Sequence, residues 1–584
     1  MKKLILTAFV AMSLGSVHAQ QEYKAYVVSN AHFDSQWNWT VQTSINEYVY
    51  NTLVQNLWLL DNYPDYVFNF EGGVKYQWMK EYYPLEYEKI KKYIAQGRWN
   101  IAGSSWDATD PNMPSPESFF RNILLGQDFY KNEFGVKSKD IFLPDCFGFG
   151  YALPTIAAHA GLIGFSTQKL QWRHKPFHGN AKFPFNFGLW QGVDGSRIMA
   201  ALNAMNYTSR WQNEDISNNK ELIDLAKSSV NNTAYRYYGT GDMGGSPTIS
   251  SVASLEKGMK SNGPVKIISS RSYQLFEDYL PFDKHPELPV YKGELLMDVH
   301  GTGCYTSQAA MKRFNRRNEQ LGDAAERSSV MADFLGGVAY PAATLDESWK
   351  RFIWHQFHDD LTGTSIPKAY TFSWNDELIA QSRFADIIKT ATGSVSQALD
   401  TKVKGTAVVV YNSLSSAHKD VVTANVPVAG KPSGVRVYNN KGKEMPAQLV
   451  SYANGVAAIT FAADAAPVSY SVYDVRFGKA NAGKSSLKVT SNTLENSVYK
   501  ITLNADGDIS SIVDKRVNRE LVKNGAAIRL AFFPSNESFE WPAWEVMKKA
   551  VDGTPVSVNE NVRISVEENG PLCATLKVER KHAN

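Results

Sequence analysis

A chain of 584 residues is too long for a single hydrophobic core and divides into about three domains. Its 61 basic and 58 acidic residues leave a formal net charge of only +3, a balance that offers no field to nucleic acid or to an anionic membrane surface. Three cysteines, Cys146, Cys304 and Cys573, stand too far apart for a disulfide framework.

Residues 1–19 read as a secretory leader of bacterial type. Lys2 and Lys3 open it, LILTAFVAMSLG is its apolar run, and Val17-His18-Ala19 is a small-x-small cleavage site. The run is too short to span a bilayer, and the mature chain is expected in the periplasm or outside the cell. From 20 to 270 strand alternates with helix, the pattern of a mostly parallel sheet with covering helices. YKAYVV and YVFNFEGG are strands, YQWMKEYYPLEYEKIKKYIAQ reads as one helix, and WNIAGSSW returns to strand. No glycine-rich phosphate loop opens a helix, so nothing in the sequence supports nucleotide binding. From 271 to 400 long amphipathic stretches predict packed helices. From 401 onward short strands between Gly, Pro and Asn turns predict a small β domain over 401–480 and the start of a β-sandwich over 481–584.

Four stretches carry residue types suited to chemistry. In SNAHFDSQWNWT, His32 and Asp34 follow a buried strand and share a face, half of a metal site or else a surface turn. In DIFLPDCFGFG, Asp145 ends a strand with Phe147 behind it, a ligand or nucleophile, or else an Asx turn. YRYYGTGDMGGSPT sets Asp242 in a glycine-rich loop, a general acid or a plain turn residue. WHQFHDDLTGTSIP places His355 and His358 at i and i+3 on one helical face, a metal pair or else structural histidines, ahead of Asp359 and Asp360. The missing Glu after His355 excludes a His-Glu-x-x-His protease. Glu294, Asp298 and His300 stand ahead of a helix and either orient a site or cap that helix.

Taken together and in order, these stretches resemble glycoside hydrolase family 38, the retaining α-mannosidases, over residues 24–584. The resemblance rests on His32-x-Asp34-x-x-Trp37, Asp145-x-Phe147-Gly148, the glycines around Asp242, and His358-Asp359-x-x-Thr362-Gly363-Thr364, with support from LENSVYKITLNADGDISSIVDKRVNRELV. It implies a seven-stranded β/α barrel, a helical bundle that completes a metal site, and C-terminal β-sandwich domains. It also implies one zinc ion held by His32, Asp34, Asp145 and His358. Asp145 would double as nucleophile, and Asp242 would be the general acid/base. Trp37 and Phe147 would wall the sugar, Asp359 would hydrogen-bond a hydroxyl, and His355 would not be a ligand. The implied substrate is a mannose-containing oligosaccharide or glycoprotein glycan.

Two departures mark this chain. Gly-Thr-Gly-Cys-Tyr-Thr-Ser follows His300, where the family has Arg and a shorter run. The family also continues several hundred residues further, so the sandwich is expected to be incomplete. The alternatives are an impaired, truncated relative that binds mannosides and a metal-dependent polysaccharide deacetylase. The deacetylase would show His-x-x-x-His near the N-terminal strands, and this chain has none there.

Overall fold

The computed structural model describes residues 22–172, 184–479, 485–538 and 540–582. The leader read over residues 1–19 lies outside them. Among the described residues no helix is long and apolar enough to cross a membrane. The chain forms two compact units. Of the described residues, one takes those within 22–316, 350–377 and 543–545; the other takes those within 317–349, 378–542 and 546–582.

Among the described residues the first unit has twelve strands: β1 (Tyr23–Ala31), β2 (Phe68–Phe70), β3 (Trp99–Ile101), β4 (Asp140–Phe142), β5 (Gly148–Phe149), β6 (Gly164–Ser166), β7 (Phe187–Gln191), β8 (Arg197–Ala201), β9 (Thr233–Thr240), β10 (Val265–Ser269), β11 (Val290–Lys292) and β12 (Leu295–Leu296). In one sheet β1 pairs parallel with β9, β10 and β2, and β2 pairs parallel with β3. In a second, β4, β6 and β8 run parallel, and β7 pairs antiparallel with β8. The period of two along a strand explains why β1 is almost wholly buried. Tyr26 and Val28 join Tyr235, Tyr237 and Phe142 in one core. Ala25 and Val27 face the other way, with Leu222 and Leu255 from the helices Lys220–Lys227 and Ile249–Lys260. The stretch read as one helix after β2 is two, Gly73–Tyr82 and Pro84–Ala95. Pro84 lacks the N–H to continue the first and has a φ suited to starting the second.

Asp140 shows how tightly this core is drawn. It accepts hydrogen bonds from the Gly103 N–H at 3.2 Å and the Ser138 hydroxyl at 3.1 Å. Its Oδ2 has no hydrogen-bond partner among the described residues, and burial pushes the carboxyl from 3.8 up to about 6. A raised carboxyl holds its proton longer in the folded state than in the unfolded one. Stability is therefore lost as pH rises from about 4 to 6. Asp140→Asn is expected to raise Tm at pH 7.5 by the equivalent of about 3 kcal/mol and to converge with the parent at pH 4. A variant that melts lower at pH 7.5 would contradict this account.

The second unit is rich in β-structure. A four-stranded sheet (Thr406–Asn412, Ser469–Phe477, Val435–Tyr438, Glu444–Met445) and a three-stranded sheet (His418–Pro427, Val456–Ala465, Ala447–Ala453) share a core that includes Val437, Ile459, Phe461 and Tyr473. A five-stranded antiparallel sheet follows between Lys488 and Glu520, then the hairpin of Glu560–Asn569 and Ala574–Lys581.

Candidate active site

Side chains converge where the parallel strands end, the usual place for chemistry in such folds. His32 and Asp34 follow β1, Asp145 follows β4, Lys169 follows β6, Tyr207 follows β8 and Asp242 follows β9. Backbone pairing continues past β1 and β9. The Asp34 N–H donates to the Asp242 carbonyl at 2.8 Å and the Gly244 N–H to the His32 carbonyl at 3.0 Å. Asp242 is thereby held with φ of +31°, a conformation disfavoured for a residue with a Cβ and frequent at functional sites.

His358 arrives from another part of the chain. The helix Ala342–Ile353 gives way to a short 3₁₀ turn, Trp354–Gln356, and His358 lies beyond it. His355 and His358 therefore do not share a helical face as the sequence pattern suggests. His358 is instead fixed by its N–H, which donates to the Ala108 carbonyl at 3.0 Å. Gly363, at φ of +86°, turns the following loop so tightly that a Cβ would meet the Ser307 carbonyl oxygen at 2.4 Å.

The geometry has the character of a cation site. Asp34 Oδ1 lies 2.9 Å from His32 Nε2 and 3.2 Å from His358 Nε2. None of these three atoms makes a well-aligned hydrogen bond, although all are buried. Donor atoms of His32, Asp145 and His358 lie within 4.8 Å of one another, as do those of His32, Asp34 and Asp242 and those of Asp34, His358 and Asp359. Imidazole and carboxylate suit zinc. Against the cost of burial, Asp34 raises both imidazoles, His358 to about 9. Despite the same cost, those imidazoles hold Asp34 well below the carboxylate range. Crowded carboxylates thus draw positive charge here, supplied by protons that a bound divalent cation would displace.

Asp145 and Asp242 are linked by Tyr207, a residue that sequence reading missed. Its hydroxyl contacts Asp242 Oδ1 at 2.8 Å and Asp145 Oδ1 at 3.2 Å. The sum of those lengths, about 6.0 Å, is the widest these oxygens can lie apart. Lys169, also missed, places its ammonium 2.8 and 2.9 Å from the two Asp145 oxygens, above the rings of Phe147 and Trp172. Gln168 adds a contact to Asp145 at 3.3 Å. Burial raises Asp242, with the charges of Asp34 and Asp145 adding to it. Burial likewise raises Asp359, which accepts from the Thr364 hydroxyl. The position of Lys169 just past a strand end was the signal available in the sequence.

Aromatic rings border these groups. Trp37 meets Trp39 at 5.9 Å and Trp544 at 6.3 Å, while Phe147 lies 5.9 Å from His358 and 6.4 Å from Trp544. Residues 543–545 return to the first unit to supply Trp544 and Glu545. Glu545 approaches His300 at 3.3 Å, and the His300 ring lies 6.0 Å from that of Phe147.

The fold is shared with an α-mannosidase from Enterococcus faecalis V583, at a TM-score of 0.75 and 20% identity, over 96% of this chain and 67% of that one. Three family models match in succession: the glycosyl hydrolases family 38 N-terminal domain over residues 22–294, the α-mannosidase middle domain over 300–400 and the family 38 C-terminal domain over 494–584. This chain belongs to glycosyl hydrolase family 38. It is 29% identical to α-mannosidase G of Dictyostelium discoideum over 96% of this chain and 52% of that protein. It is 29% identical to human α-mannosidase 2C1 over 62% of this chain and 34% of that protein. The chain thus spans about half the length, or less, of these curated relatives.

Proposed function

We propose that this chain is a retaining α-mannosidase that removes terminal α-linked mannose from glycans, with one zinc ion held by His32, Asp34, Asp145 and His358. The observation that carries the reading is Tyr207 bridging Asp145 and Asp242. Retaining glycosidases set their two carboxyls about 5–5.5 Å apart, whereas inverting ones leave about 6.5–9.5 Å for a water. A ceiling of about 6.0 Å favours the first.

The roles follow from environment. Lys169 holds its ammonium against both Asp145 oxygens and fixes the orientation of this carboxylate, which attacks the anomeric carbon and becomes esterified to the sugar. Burial and neighbouring charge favour the protonated form of Asp242, which gives its proton to the departing glycosidic oxygen. As the ester is hydrolysed, Asp242 takes a proton from the incoming water. The Tyr207 hydroxyl keeps the two carboxyls in register. Trp37 and Phe147 wall the sugar, and Asp359 accepts from one of its hydroxyls. When bound, zinc would hold adjacent sugar hydroxyls and favour a flattened ring.

The seven strands β1, β2, β3, β4, β6, β8 and β9 are proposed as the staves of one barrel. Support comes from the Tyr237 N–H donating to the Ala204 carbonyl at 2.8 Å and the Gly103 N–H donating to Asp140. These contacts bridge the gaps between the two sheets. The leader read at residues 1–19 would place the enzyme in the periplasm or outside the cell.

The test is release of a phenol from an aryl α-mannoside by the purified chain, before and after chelation and with zinc restored. Release that falls on chelation and returns with zinc is expected. Release indifferent to chelation would remove the metal from the reading, and no release from a zinc-loaded chain would remove the activity.

A further inference from the structure

His355 is buried beside the proposed metal site and has no part in the chemistry above. Its Nδ1 lies 2.7 Å from Asp360 Oδ2 and its Nε2 lies 3.2 Å from Asp376 Oδ2. Arg351 Nη1 meets the other Asp376 oxygen at 2.5 Å. Asp360 has a second set of partners. Gln36 Nε2 donates to both of its oxygens at 2.7 Å, and the Ser373 hydroxyl donates to Oδ2 at 3.1 Å. Gln36, His355, Asp360 and Ser373 are all buried. In this space a histidine with a carboxylate on each nitrogen carries positive charge and is held in orientation at both ends.

The position of this chain of bonds gives it meaning. Gln36 stands two residues after Asp34, and Asp360 stands two residues after His358. The Gln36–Asp360 contact joins segments 324 residues apart, the same two segments whose Asp34 and His358 side chains meet at 3.2 Å. The Ile366 N–H donating to the Trp37 carbonyl at 2.8 Å is a parallel backbone tie, but it bears on Trp37 rather than on the ligand side chains. An imidazole fixed between Asp360 and Asp376 prevents Asp360 from turning away from Gln36. Groups that orient ligands commonly change metal affinity when removed, although they touch no metal.

We propose that His355 is a positioning residue. By clamping Asp360 against Gln36, it sets the spacing of Asp34 and His358 for the cation. The inference rests on the metal-dependent reading above and extends it to a network that touches neither metal nor sugar.

The test compares the parent with His355→Ala, His355→Gln, Gln36→Ala and the double variant Gln36→Ala/His355→Ala. Each is loaded with Zn²⁺ for affinity by chelator competition and with Co²⁺ for its visible absorption, and kcat, KM and Tm are measured on the folded protein. The expected result is a roughly 10–100-fold loss of zinc affinity in either single alanine variant, a changed Co²⁺ spectrum, and a fall in kcat larger than any rise in KM. The double variant should lose little more than either single one, because both act through Asp360. His355→Gln, which keeps a donor for one carboxylate, should recover part of the affinity. Parent-like affinity and spectrum with only a lowered Tm would overturn the assignment, as would full additivity in the double variant. Failure of both His355 variants to fold would reduce the residue to a structural part and overturn it too. A parent chain that binds no Zn²⁺ or Co²⁺ would sink the metal reading itself, a result distinct from variants that bind as well as the parent.

Discussion

Asp145→Ala is expected to abolish turnover, lowering kcat by at least about four orders of magnitude on any α-mannoside. Two losses coincide in this one change. The carboxylate beside Lys169, Gln168 and Tyr207 disappears, and with it the group that would be esterified. A donor to the His32 and His358 cluster disappears as well. Asp145→Asn separates them, because an amide keeps the shape and one weak donor oxygen but cannot attack. Zinc content in Asp145→Asn should fall less than in Asp145→Ala, while both remain inactive. Turnover in Asp145→Asn within tenfold of the parent would rule out the nucleophile role, and equal zinc content in all three chains would remove Asp145 from the ligand set.

Asp242→Asn should show the second largest effect, and its signature is selectivity. A general acid contributes roughly 10²–10⁴-fold where the leaving oxygen needs a proton and almost nothing where it departs as a stable phenolate. The variant is therefore expected to hydrolyse a dinitrophenyl mannoside at a rate close to the parent in the first step, yet to lose most activity on a disaccharide. Because the same residue takes the proton from water afterwards, the ester on Asp145 should accumulate with the activated substrate, giving a burst followed by slow release. Azide, which needs no deprotonation, should restore the second step. Equal loss on both substrates with no burst would count against the acid/base role. The Tyr207 hydroxyl at 2.8 Å and the φ of +31° at Asp242 show that the carboxyl is held in place by more than its own rotamer.

The sequence conveyed the parts of this molecule that depend on local pattern. β1 was legible because Tyr and Val alternate with polar residues up to the point where His32 begins, and the chain past residue 401 was legible from its turn residues. His32, Asp34, Asp145 and His358 stood out because they lie in short stretches of distinctive order; polar atoms of His32, Asp145 and His358 lie within 4.8 Å of one another, and Asp34 Oδ1 is 3.2 Å from His358 Nε2. What escaped depended on contacts between distant segments. Tyr207 and Lys169 sit in unremarked sequence and acquire their position only when β6 and β8 line up beside β4. The i,i+3 spacing of His355 and His358 suggested a shared face, yet the helix stops at Ile353 and the two imidazoles turn to different partners. The break at Pro84 was visible in the residue itself and lost to the apolar periodicity around it.

The return of residues 543–545 to the first unit fixes when the candidate pocket can be finished during synthesis. His32, Asp34, Asp145, Asp242 and His358 have all left the ribosome nearly two hundred residues before Trp544 and Glu545 do. Until then Trp37 and Phe147 lack the indole that meets them and His300 lacks the Glu545 carboxylate. A fragment ending after Asp359 but before Ala543 would carry every proposed catalytic group and still lack Trp544 and Glu545. Stop codons placed just before and just after residues 543–545 should therefore differ sharply in the release of phenol from an aryl α-mannoside.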